Sequence, residues 1–425
     1  MHVALAIAAL IPLTAAVPAV VFAAPSSAPS ASVRGDEFPA PVDTITLKKR
    51  GKVIEGRIVR IDDDVIVIRQ KSKHKEYERE DVESYVWAEE QHAKLYPRLR
   101  DAVDASSEDL QAMAEEFEAA GLLGEAELTH WMVLDQDPSN VISHEALGHR
   151  KKGKTWRAQI DKKWVRWDDL RERTADWGTA WELHTTHYDL RTNLPLTAAL
   201  RCALDAETIF RHFYDHYGKE LGLAVPTMRQ ELHVHGDDAS YPGGGAVISM
   251  FLSSQQRVTF NAHEGYWAGD LIQRMVQQYF FASSFEMGKR SALPSFVSMG
   301  IYRNFAAMLN LVDRDSGALS FDPSRSHEAD RKFHREDDDM MDLSRVLTLD
   351  TSIIFTERGE RALAQSGTLV DYVMRGQDRK YAEAFAEFVQ GALEGKGSPT
   401  HFKKILGIRD ERDFVAAWGR YVGRE

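Results

Sequence analysis

Apolar and polar positions alternate in different rhythms along this chain, and each rhythm predicts a different element. Between residues 42 and 88, short β-branched runs (Val53-Ile54, Ile58-Val59, Val65 to Ile68) are split by turn signals at "KRGK" and "DDD". That pattern predicts a small antiparallel β unit of SH3-like size. From 89 to 150 the apolar spacing becomes helical. "SSEDLQAMAEEFEAAGLLGEAELTHWMVLDQDPSN" has a Ser cap, acidic residues in the first turn, a glycine break and a second run stopped by "DPSN". It predicts one helical hairpin, similar to a single tetratricopeptide-type (TPR-like) unit, with no second copy that would build an array. Residues 151–178 form a connecting segment in which "GKTWRAQIDKKWVRWDDL" reads as a short hairpin carrying three tryptophans.

The remainder, 179–425, has strands first and helices after, an α+β layout. "AWELHTTHYDLRTNLP" reads as a strand and "LTAALRCALDAETIFRHFYDHYG" as a helix. "VPTMRQELHVHG" reads as another strand and "YPGGGAVISMFLSSQQRVTF" as a hairpin. His263 then opens a helix to about Ala282, with Tyr266, Trp267, Met275, Val276, Tyr279 and Phe280 at three- and four-residue spacing. Another helix occupies 293–307, with Pro294 near its start.

The N-terminus changes the picture of where the protein acts. Residues 1–24 are apolar and resemble a secretory signal peptide, with Val21-Phe22-Ala23 at the cleavage region but no Lys or Arg before the apolar stretch. A Ser/Ala/Pro-rich linker occupies 25–41. The expectation is a secreted, periplasmic or cell-envelope protein, soluble after export and membrane-anchored if the signal stays uncleaved. A net charge of −12 without a basic stripe argues against a nucleic-acid partner. The single cysteine, Cys202, lies on a helical pattern and reads as a buried structural thiol.

The candidate chemistry centres on "NAHEGYWAGD", residues 261–270. In the signature H-E-x-x-H, two histidines one turn apart hold zinc and the glutamate polarises a water. Here His263 and Glu264 are present, but Trp267 occupies the second histidine position, and an indole has no lone pair for a metal. "HEALGH", 144–149, is not such a site, because His144 and His149 are five apart and on different faces of a helix.

Together, "HEGYWAGD" and "LPSFVSMGIYRNFAA" resemble the gluzincin-like peptidase MA-like family (DUF1570, planctomycete type), whose pattern is H-E-G-T-H-Q followed by P-x-W-L-x-E-G-L-A. His263, Glu264 and Gly265 match the first part; Pro294, Phe296, Val297 and Gly300 match the second in kind. The resemblance runs over about 42–423 and implies a gluzincin (zincin-like) domain over 179–425. It also implies that Met299 stands where the family has its third ligand, a glutamate. Two of three inferred ligands are thus replaced, and a thioether is a soft donor unsuited to zinc. Without the ion, Glu264 has no activated water and becomes a vestigial general base.

The expectation is a pseudopeptidase with no cofactor. Trp267 and Met299 would face each other beside Tyr266, filling the former metal position. The old substrate cleft would bind a peptide or protein segment, with "RVTF" (257–260) as the candidate sheet edge. One alternative is an active zinc peptidase in which His233 and His235, two apart on one strand face, join His263 and Glu264. Another is a structural cell-envelope protein. His184 and His187 of "HTTHY" fall on opposite strand faces and read as structural, and the acidic run "HREDDDMMD" reads as a solvated loop.

Overall fold

The computed structural model describes residues 39–425 apart from 72, 103–104, 161, 244–247, 263–268, 287, 311–318, 326, 338–339, 351, 354–355 and 424–425. The expected signal peptide, most of the linker and residues 263–268 of the histidine–glutamate motif therefore lie outside the described residues.

Five strands come first: β1 (Asp43–Leu47), β2 (Lys52–Ile61), β3 (Val65–Gln70), β4 (Lys73–Glu78) and β5 (Val82–Val86). They form an antiparallel sheet in the order β4-β3-β2-β1-β5. Ile45, Ile54, Ile58, Ile66, Ile68 and Val82 make a small core of its own. Asp43 ties the unit to the first helix: its carboxylate accepts from the Ile58 amide at 2.6 Å and from the Ala88 amide at 2.7 Å.

Helices α1 (Ala88–Arg100), α2 (Ser107–Ala119), α3 (Leu123–Gln136) and α4 (Val141–Ala146) come next. The expected hairpin is α2 with α3: the Ser106 side chain caps α2 by accepting the Asp109 amide, and Gly121, with φ of 74°, turns the chain. Two further helices flank it. The tryptophan-rich segment folds as three strands rather than two, β6 (Arg150–Lys152), β7 (Thr155–Ile160) and β8 (Lys163–Arg166), followed by α5 (Trp167–Arg173).

The second five-stranded sheet uses β9 (Trp181–His184) and β10 (Tyr188–Thr192), then, after helix α6 (Leu196–Phe213), a π-helical turn (Tyr214–Gly218) and α7 (Lys219–Leu221), the strands β11 (Gln230–His235), β12 (Ser249–Leu252) and β13 (Arg257–Asn261). Its order is β12-β13-β11-β10-β9, with β10, β11 and β13 parallel and an antiparallel strand at each edge. Two expectations are corrected here. "WELHTTHYDLRT" is a hairpin, not one strand, because Thr185–His187 turn the chain between β9 and β10. "RVTF" is not an edge: β13 is paired on both sides, and the edge is β12.

The chain closes with α8 (Gly269–Glu286), α9 (Ser295–Met308), a two-stranded ribbon of β14 (Leu309–Asn310) and β15 (Ser320–Phe321), and helices α10 (Glu328–Glu336), α11 (Leu343–Leu347), α12 (Gly359–Arg379), α13 (Ala382–Leu393), α14 (Pro399–Ile405) and α15 (Glu411–Val422). "HREDDDMMD" is only partly a loop. His334 to Glu336 end α10, and the Asp342 carboxylate caps α11 by accepting the Arg345 amide at 2.8 Å.

A single apolar core runs from Ala88 to Val422, so α1–α3 and the three-stranded sheet share it with the second sheet and the closing helices. The N-terminal β unit docks on this body through Arg69, whose guanidinium meets the buried Glu286 carboxylate at the end of α8 at 3.1 Å. Among the described residues no helix is long and apolar enough to cross a membrane.

Candidate functional site

Met299 lies on α9 and is fully buried among the apolar side chains of the main core. Gly300 explains how tightly it is held: a side chain there would run into the Ser366 carbonyl and into Val370 on α12, so the two helices meet backbone to backbone. His263, Glu264, Tyr266 and Trp267 fall outside the described residues, and so does the expected contact between Trp267 and Met299.

His233 and His235 do share one face of β11, as their spacing predicts. The ring of His235 stacks on Trp177 with centroids 3.6 Å apart, and His233 meets the same indole edge-on at 5.4 Å. His235 Nδ1 lies 3.2 Å from the Ser240 hydroxyl; its buried Nε2 makes no hydrogen bond. Burial holds both imidazoles neutral, lowering His233 to about 2 and His235 to about 4, with neighbouring arginines adding to the effect. Ala262, the residue before His263, donates its amide to the His235 carbonyl at 2.7 Å.

His144 and His149 come together, contrary to the expectation that they point apart. The helix ends at Ala146, and Gly148, with φ of 71°, folds the chain back so that the two Nδ1 atoms lie 2.7 Å apart. The rings pack in an aromatic nest with Trp131, Trp156 and Trp167. A helical-wheel argument fails where the helix stops between the two residues compared.

The densest cluster of ionisable groups lies elsewhere, where α1, α3, α6 and the turn between β9 and β10 converge. His187, on that turn, places Nδ1 2.7 Å from Glu207 Oε2 and Nε2 2.6 Å from Glu89 Oε2. Its ring stacks on Phe210 at 3.7 Å. Its own amide donates to Glu207 Oε1 at 2.8 Å, so backbone and side chain fix the carboxylate together. Glu89 is held in turn by Arg211 at 2.5 Å. On the far side, Glu125 accepts from the Thr186 amide at 2.6 Å and the Thr186 hydroxyl at 2.9 Å.

Between these carboxylates stands His92, fully buried, with Nε2 3.2 Å from Glu125 Oε1 and 3.5 Å from Glu207 Oε2. Neither of its ring nitrogens makes a hydrogen bond. The ring is steadied by stacking on Tyr96 at 4.8 Å and by the edge of His187 at 5.1 Å.

Burial opposes every charge here, but the partners win. Glu207 is lowered to about 2, chiefly by His187 and then His92, and Glu89 is held well below the usual carboxylate range by His187 and Arg211. Burial would lower His187; Glu207 and Glu89 instead raise it to about 9. In this arrangement a protonated His187 serves both flanking carboxylates.

Sequence pattern puts His187 on a strand face and does not single out His92, Glu89, Glu125 or Glu207. One signal is there. Glu207 interrupts the apolar face of "LRCALDAETIF", where a carboxylate demands a partner, and Arg211 stands one turn on. Its histidine partner cannot be read from the sequence, because the turn that presents it has the alternation of a strand.

No family model, no curated protein and no solved structure matches this chain.

Proposed function

We propose that the chain is an exported pseudopeptidase: a zincin-like scaffold whose metal-dependent chemistry is lost and whose cleft binds an extended peptide or protein segment. The motif resemblance supplies the scaffold. The observation that carries the loss of chemistry is Met299, sealed at zero exposure in apolar surroundings where a zinc-binding carboxylate would have to face a solvent-filled site.

The binding mode rests on the corrected sheet edge. The Asn261 amide donates to the Ile248 carbonyl at 2.9 Å, so residues 248, 250 and 252 turn their backbone groups toward β13. Phe251 then turns its backbone groups the other way, and no strand pairs with that side of β12 among the described residues. An extended peptide added there gains a row of main-chain hydrogen bonds.

The active-peptidase reading has one observation in its favour, the unbonded Nε2 of His235 one strand from the start of the motif. Titration of the full chain with extended peptides separates the readings. Peptides should bind without being cleaved. Phe251→Pro should weaken binding about tenfold or more, because it removes an outward amide while sparing the β13 ladder. Chelator-sensitive cleavage of the peptides would reject the proposal.

A further inference from the structure

We propose that His92, His187 and Glu207 form a buried structural site for one zinc-class divalent cation, riveting the helices α1 and α6 to the turn between β9 and β10. The inference is independent of the pseudopeptidase reading and concerns a different part of the molecule.

Three observations carry it. First, ligand atoms of His92, His187 and Glu207 lie within 4.8 Å of one another, and all three residues are buried. Second, the spacings suit a small tetrahedral ion. Ligands about 2.0–2.1 Å from zinc stand roughly 3.3 Å from each other. His92 Nε2 lies 3.5 Å from Glu207 Oε2. The 2.7 Å between His187 Nδ1 and Glu207 Oε2 is a proton-bridged contact that opens when the cation replaces the proton. Third, His92 is a fully buried imidazole aimed into the cluster with no hydrogen bond of its own, an arrangement that costs free energy unless something else occupies its lone pair.

The surrounding groups fit the same assignment. A metal-bound histidine ordinarily donates its other ring N–H to a carboxylate, and His187 Nε2 faces Glu89, itself held by Arg211. Glu125 and Glu207 are oriented by amides of Thr186 and His187. All three ligand residues are buried, which leaves a substrate no path to the ion and makes the site structural rather than catalytic. Binding couples metal uptake to folding.

The test uses the full chain refolded with and without zinc, then with cobalt as a spectroscopic stand-in. The expected result is one equivalent of zinc per chain, an unfolding temperature lowered by several degrees on chelation, and a tetrahedral cobalt spectrum. Zinc should be lost in His92→Gln and Glu207→Gln and kept in His263→Ala. If either cluster variant fails to fold, the wild-type zinc content, chelation shift and cobalt spectrum decide alone. Wild-type chain that refolds equally well without zinc and retains none would overturn the proposal, as would zinc lost with His263→Ala and kept in His92→Gln.

Discussion

Burial drives His187 and the pair His233 and His235 in the same direction, while their neighbours do not. His233 and His235 lie against the indole of Trp177, where burial outweighs the opposing pull of Asp237 on His235, and stay neutral far into acid. His187, with His92 beside it, lies among three carboxylates and holds its proton into alkali. Desolvation opposes charge in both places; only a carboxylate within hydrogen-bond reach reverses the outcome. The pair is part of a packed aromatic shelf. His187 belongs to an ionic junction at which four separate parts of the chain meet.

The largest expected effect comes from breaking the junction. Glu207→Leu removes the carboxylate that His187 and His92 face and should cost about 3–5 kcal/mol in chemical denaturation. The matching change at the shelf is milder. Trp177→Ala exposes rings that need no counter-charge and should cost about 1 kcal/mol, while His235 titrates nearer its ordinary value.

The pH response sharpens the contrast, and its sign differs between His187 and His235. In chelator-treated protein, His187 has a folded value above its ordinary 6.5, so its contribution is complete below 6.5 and disappears as pH rises through about 9. Glu207, lowered from 4.5, contributes above 4.5 and loses that contribution as pH falls toward 2. His235, lowered from 6.5 to about 4, withdraws stability as pH drops below 6.5, because the unfolded chain takes up the proton first. Imidazole nitrogen shifts followed by NMR should show His187 protonated at pH 8 and His235 neutral at pH 5.

Legibility in the sequence divides along a similar line. Elements announced by local pattern lie near their expected places: the Ser106 cap, the helix through Cys202, the strand carrying His233 and His235, and the helix after Pro294. Cys202 is buried as expected. Contacts created by chain reversal are not legible. His144 meets His149 because a glycine ends a helix, and His187 enters the junction because "HTTH" is a turn whose alternation imitates a strand. The true sheet edge is equally hidden, since nothing in "RVTF" reveals that "SMFL" pairs outside it and a parallel strand inside.

The central proposal is that the histidine–glutamate motif at His263 and Glu264 holds no catalytic ion. Zinc analysis of purified wild-type protein and His263→Ala tests it most directly. The account predicts the same zinc content in both; one equivalent present in the wild type and missing from the variant would contradict it.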